Sequence, residues 1–212
     1  MSKKQKKDKI GNGVSQNPFS SPILENPKSP APVKKKKDNN HDAQIDNKII
    51  RPPKKPPHPK LIKAMRMTSQ VYRAINKLIG LKPAERGGIL LSISNDYTIT
   101  GFVYDRKASK KRNVYQPNTN FLNRVLKGRN EEFVGIVHSH PPGLRKLTVQ
   151  DRRAAWSNLT SPSNPHLQAY LMPLIQTAAD TGKFEIIPYI VICHPKGMGK
   201  VLVKQVELLI LD

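Results

Sequence analysis

The chain changes character at Lys60, and that break limits what can fold. Ten of the nineteen prolines precede it, among them the run "RPPKKPPHP", together with the clusters "KKQKK" and "KKKK". A segment with few apolar side chains, many prolines and high charge cannot bury enough surface to offset the entropy of ordering. Residues 1–60 are therefore expected to be a disordered basic tail, and residues 61–212 to form one domain. The charge divides accordingly. The first 60 residues hold 15 Lys or Arg and 5 Asp or Glu, a net +10, and the remainder hold 22 and 10, a net +12, which together make the +22 of the chain. Such a tail reads either as a solvated linker that aids solubility or as a weak, salt-sensitive attractor of nucleic acid or another polyanion. No aromatic residue interleaves its lysine clusters, so base-specific readout is not expected.

The single cysteine, Cys193, cannot make an internal disulfide, and no stretch is apolar enough for a signal peptide or a membrane span, so a soluble cytoplasmic protein is expected. Beyond Lys60 apolar periodicity appears. "TSQVYRAINKLIG" spaces Val71, Ile75 and Ile79 on one helical face, behind a cap at Thr68 or Ser69. "GGILLSIS" and "YTITGFVY" read as strands of a hairpin turning at "ND", and "RNVYQP" as a short strand. "TNFLNRVLKG" reads as a helix ending at Gly128. "EFVGIVHSH" reads as a buried strand, and "TVQDRRAAWSN" as a helix capped by Thr148. "FEIIPYIVICH" and "KVLVKQVELLI" flank "PKGMG" as a second hairpin. This order suits an α/β domain in which a mostly antiparallel central sheet is sandwiched by helices.

The segment "FVGIVHSHPPGLRKLTVQD" carries the chemistry. Side chains alternate along a strand, so His138 and His140 share a face while Ser139 points away. The "PPG" turn lets the chain double back, and a helix beginning at Thr148 holds Asp151 in its first turn. Two imidazoles and a carboxylate suit zinc, and three protein ligands leave a fourth position open, as catalytic zinc sites require.

This segment resembles the signature of the JAMM or MPN+ metalloproteases, a glutamate followed later by H-S/T-H, seven residues, serine, two residues and aspartate. Here seven residues separate His140 from Thr148 and two separate Thr148 from Asp151, with threonine standing where the family usually has serine. The resemblance spans about residues 65–210. It implies an MPN-like, cytidine-deaminase-like fold and a small member of prokaryotic type. It assigns one zinc ion to His138, His140 and Asp151, and the role of general acid and base to Glu85 in "PAERGGILL". It gives the Thr148 hydroxyl a part in stabilising the oxyanion. The implied activity is cleavage of the isopeptide or peptide bond after the C-terminus of ubiquitin or a ubiquitin-like protein. Two other classes stand beside it: a non-catalytic MPN-type interaction scaffold, and a basic nucleic-acid-associated protein with incidental histidines.

Other residues read more plainly. His166 and His194 are expected to be ordinary polar residues, Trp156 a core residue of the helix after the motif, and Cys193 a small buried residue.

Overall fold

The computed structural model describes residues 62–94, 96–108, 115–177, 184–195 and 199–212, so the expected basic tail lies outside it. In chain order the elements are β1 (Ala64–Thr68), α1 (Ser69–Ile75) continued by a π-helical turn (Asn76–Gly80), β2 (Gly87–Leu91), β3 (Gly101–Tyr104) and α2 (Thr119–Leu126). A 3-10 turn (Asn130–Glu132) leads into β4 (Phe133–His140), followed by α3 (Val149–Thr160), β5 (Tyr170–Leu171), β6 (Leu174–Gln176), β7 (Glu185–Ile187), β8 (Tyr189–Cys193), β9 (Val201–Gln205) and β10 (Glu207–Leu211).

Eight strands form the central sheet in the order β3-β2-β4-β5-β8-β9, with β6 pairing β4 and β7. Only β4 with β5 and β4 with β6 are parallel; the other pairings in this sheet are antiparallel. β1 and β10 make a separate parallel pair. Apolar residues fill both faces of the sheet. One cluster joins Ile89, Phe133, Ile136, Tyr170 and Val191 to Leu122 and Leu126 of α2 and Ala155 of α3. The other joins Leu90, Val134, Val137, Leu171 and Ile190 to Val71 and Ile75 of α1 and Met65 and Met67 of β1. Helices thus cover both faces of a mixed α/β structure. Thr68 caps α1, its hydroxyl accepting from the Val71 amide at 3.4 Å.

The central strand β4 is out of simple alternation, and this decides where the histidines point. Its register against β2 shifts between Leu90, opposite Gly135, and Leu91, opposite Phe133. The bulge puts Phe133 and Ile136 in one cluster and Val134 and Val137 in the other. Strict alternation from Phe133 would have sent His138 and His140 toward α1. With one extra residue in the strand they face the side of the sheet that carries α3.

Several expectations need correction. Pro188 has no N–H for a ladder, and it divides the expected long strand into β7 and β8; its carbonyl accepts from Val206 at 3.0 Å, at the point where the final run divides into β9 and β10. β8 and β9 do pair as the expected hairpin. β2 and β3 pair as expected, but Asn95 of the turn lies outside the described residues, and Ile99 leaves the hairpin to bridge Met67. Arg112 to Val114 of the expected short strand also lie outside, and Tyr115 to Pro117 form no strand. Cys193 sits exposed at the end of β8, where the strand runs past the core. Trp156 is 40% exposed, because α3 buries the stripe Asp151, Ala154, Ala155 and Asn158. Among the described residues no helix is long and apolar enough to cross a membrane.

Gly135 tests how closely β4 packs on β5. A Cβ there would overlap the carbonyl oxygen of Leu171 on the neighbouring backbone. Gly135→Ala should therefore cost about 1–3 kcal/mol or more, as overpacked cores do. Urea unfolding monitored by circular dichroism measures this, and an unchanged midpoint would mean that β4 and β5 can separate freely.

Candidate metal centre

His138 and His140 end β4 on one face, and α3 begins nine residues after His140, so its first turn comes back over that face. The two imidazole Nε2 atoms lie 3.0 Å apart. Asp151 Oδ1 is 3.1 Å from His138 Nε2, and its Oδ2 is 3.4 Å from His140 Nε2. All three residues are buried, and their ligand atoms lie within 4.8 Å of one another. Two atoms bound to one tetrahedral zinc at about 2.0–2.1 Å are roughly 3.3 Å apart, so these separations fit three corners of such a site. The structure therefore brings together the three residues expected to hold a metal.

The carboxylate is held by the helix it starts. Asp151 Oδ2 accepts from both the backbone N–H and the hydroxyl of Thr148, each at 2.7 Å, while the Asp151 amide donates to Thr148 Oγ1 at 3.1 Å. This is a capping box with aspartate in the third helical position. It holds Oδ2, which also lies near His140, and leaves Oδ1 directed at His138. Burial alone would raise the Asp151 pKa, but His138 and the hydrogen bonds from His138, His140 and Thr148 outweigh it and hold the carboxyl well below its ordinary range. For His138, burial opposes the charged ring, yet the carboxylates of Asp151 and Glu85 raise its pKa above the usual histidine value.

His140 is oriented through its other nitrogen. Nδ1 lies 3.3 Å from the Leu144 carbonyl, which can only accept, so Nδ1 carries a proton, and once the ring is neutral Nε2 presents its lone pair. Gln176 braces that carbonyl. Its Nε2 donates to Leu144 O at 2.9 Å, and its Oε1 accepts from the Gly143 amide at 3.0 Å. Tyr189 donates to the Arg145 carbonyl at 3.0 Å, and the Arg145 guanidinium makes two 2.6 Å bonds to Glu185. The loop between β4 and α3 is thus tied to β6, β7 and β8. His138 Nδ1 is buried without a partner among the described residues, while the ring stacks on Tyr115 with centroids 6.0 Å apart.

Glu85 lies in the loop before β2, near enough for the charges of His138 and His140 to act on its carboxyl. Its Oε2 accepts from the Tyr115 amide at 3.2 Å. Burial raises its pKa, opposed by the nearby charges of His138 and His140, so it shares their electrostatic environment. Ser139 sets its approach: Arg86 N donates to the Ser139 hydroxyl at 3.0 Å, and Ser139 N donates to Arg86 O at 2.8 Å. The serine between the histidines therefore pins the residue next to Glu85 to the back of the same strand. Sequence reasoning gave Ser139, Tyr115 and Gln176 no role. The alternation that places Ser139 opposite the histidines was a usable signal, whereas nothing local marked Gln176, which lies 36 residues beyond His140. His166, expected to be an ordinary polar residue, is in hydrogen-bond contact with the Phe133 carbonyl at 2.8 Å.

Purified protein should bind one zinc per chain, and His138→Ala, His140→Ala and Asp151→Ala should each abolish this stoichiometry while Glu85→Gln retains it, as read by atomic emission. Gln176→Ala should lower zinc affinity about 10–100-fold, the usual effect of removing an outer partner of a ligand. Retention of full affinity in chelator competition would show that the brace is dispensable. Zinc must displace a proton from His138 at acid pH, so apparent affinity should fall as pH drops through the raised pKa, about tenfold per unit per proton. The sign reverses for the zinc-free chain. Its imidazolium–carboxylate contribution to stability is fully present below the unfolded histidine pKa of about 6.5 and is lost as pH rises through the folded value. Thermal melts of both forms across that range check the two signs.

Neither a scan of protein-family models nor a search of curated proteins finds a match to the chain. Among solved structures it is similar to the solution structure of protein DSY2949 from Desulfitobacterium hafniense, with 14% identity and a TM-score of 0.47 over 69% of this chain and 92% of that one. That likeness is too distant to carry an argument about fold or function.

Proposed function

We propose that the chain is a zinc-dependent hydrolase of amide bonds, of the JAMM or MPN+ type, acting on the isopeptide or peptide bond after the C-terminus of ubiquitin or a ubiquitin-like protein. The observation that carries the reaction class is the convergence of His138, His140 and Asp151 in a buried cluster with Glu85 in the same electrostatic environment. The substrate class rests on the resemblance of "HSHPPGLRKLTVQD" and the upstream glutamate to the family signature.

Zinc, when bound, supplies a Lewis acid that brings the ionisation of water near neutral pH and polarises a carbonyl. The residues of the chain do the rest. His138, His140 and Asp151 would hold the ion, with His140 oriented by the bond of its Nδ1–H to Leu144 and Asp151 fixed by the helix start. Glu85 takes the proton of the attacking water and returns it to the leaving amine. Partial burial of its carboxyl favours the protonated form, which suits delivery of a proton to the leaving amine. The Tyr115 amide keeps one Glu85 oxygen in place.

Thr148 has a choice to make. Its one hydroxyl proton goes to Asp151 Oδ2, so it must leave that bond to meet an oxyanion, while the Thr148 amide continues to hold the carboxylate. Retention of a hydroxyl at this position, with an added methyl, is consistent with that second role.

A panel of ubiquitin-like modifiers fused to a reporter through their C-termini, assayed with and without chelator, tests the proposal. Release of the reporter by the zinc-loaded chain, lost on chelation and restored by zinc, is expected. Zinc bound at full stoichiometry with no turnover on any fusion would favour an MPN-type scaffold. Absence of zinc altogether would favour a nucleic-acid-associated protein. Glu85→Gln should keep zinc and lose on the order of 10²–10⁴-fold in kcat. Thr148→Ser should stay active while Thr148→Ala loses on the order of 10²-fold or more per bound zinc. A purely capping Thr148 would instead cost about 0.5–2 kcal/mol of stability and leave that rate unchanged.

A further inference from the structure

The outer face of α3 is built unlike a solvated helix surface. Val149, Arg152, Arg153 and Trp156 recur at helical spacing and, with Gly199, Lys200 and Val201, line a cavity of about 270 Å³. Trp156 is 40% exposed and Val149 is 53% exposed. Val203, on the same face of β9 as Val201, is also exposed, and β9 ends the sheet with a free edge among the described residues. None of Arg152, Arg153 and Lys200 forms an ion pair with a described residue. The groove therefore combines apolar walls with three cations that have no ion-pair partner, and strand backbone that has no ladder partner, among the described residues.

We propose that this groove docks an extended acidic polypeptide segment of a partner protein. The segment adds a strand to the free edge of β9, where main-chain hydrogen bonds supply affinity. Apolar side chains on its inward positions cover Val203, Val149 and Trp156, and its carboxylates meet Arg152, Arg153 and Lys200. Charge selects the occupant. A second copy of this chain, at net +22, or its own first 60 residues, at +10, would bring like charge to a cationic groove. Backbone pairing and aliphatic walls favour polypeptide over single-stranded nucleic acid, which would use the tryptophan as a stacking platform. Asp151, Ala154, Ala155 and Asn158 form the inward stripe of α3, so the groove lies on the other side of the helix from the metal cluster. The inference does not rest on the proposed reaction.

Trp156 is the only tryptophan in the chain, so its fluorescence reports on this groove directly. The full-length chain is titrated with a synthetic peptide alternating Asp or Glu with Leu or Val, with the same peptide carrying Lys for the acids, and with an oligothymidylate. The acidic peptide should give a saturable blue shift that weakens with added salt, and the lysine peptide none. The double variant Arg152→Glu, Arg153→Glu should weaken binding at least tenfold, and Lys200→Glu, on a separate element, should weaken it in the same direction. Acidic-peptide binding indifferent to all three charge reversals overturns the proposal. Saturation by the oligothymidylate with the acidic peptide inert also overturns it and assigns the groove to nucleic acid.

Discussion

A single buried carboxylate joins the fold to the site. Burying Asp151 without partners would cost several kcal/mol, and its surroundings offset that cost from two sides. The start of α3 supplies the Thr148 amide and hydroxyl, along with the positive end of the helix dipole, and β4 supplies two imidazoles. Removing either side leaves a charge stranded in the interior. The direction in which α3 enters the domain and the composition of the candidate metal cluster are for this reason one constraint. The spacing from His140 to Asp151 expresses it in sequence: seven residues are enough for a turn and a return, and Thr148 then starts the helix on the required face.

The rest of the centre is arranged around β4. Its bulge sets the phase that turns both histidines toward α3, and Ser139, left on the opposite face, fixes the segment that delivers Glu85. The loop that follows is held from beyond itself by Gln176, Glu185 and Tyr189 on three further strands. A strand, a helix start and a braced loop together restrict the freedom of three candidate ligands, which is what an open metal site would need if one position is to remain for chemistry.

Much of this was legible in the chain because it rests on local rules. Strand alternation placed His138 and His140 together, a hydroxyl residue three before an acid marked the start of α3, and apolar spacing found the buried faces of α1 and α2. What escaped depends on distant partners. β1 is short and methionine-rich, and it becomes a strand by pairing with β10 at the far end of the chain. β5 and β6 flank Pro173 in a stretch with no clean period, and they exist because β4 offers them its edge. Pro188 and Val206 divided runs that hydrophobicity alone reads as continuous. Trp156 was expected in the core because large aromatics usually are, but the alanines of α3 take the inward face. In the same way Gln176 had no signature, since its work is done on the backbone of another loop.

Anomalous diffraction at the zinc edge, from crystals of the full chain grown with one equivalent of zinc, tests the central claim most directly. One strong peak is expected, bounded by the Nε2 atoms of His138 and His140 and a carboxylate oxygen of Asp151, at ligand distances of about 2.0–2.2 Å. A peak at other histidines such as His166 or His194, or no peak at the β4–α3 junction, would contradict it.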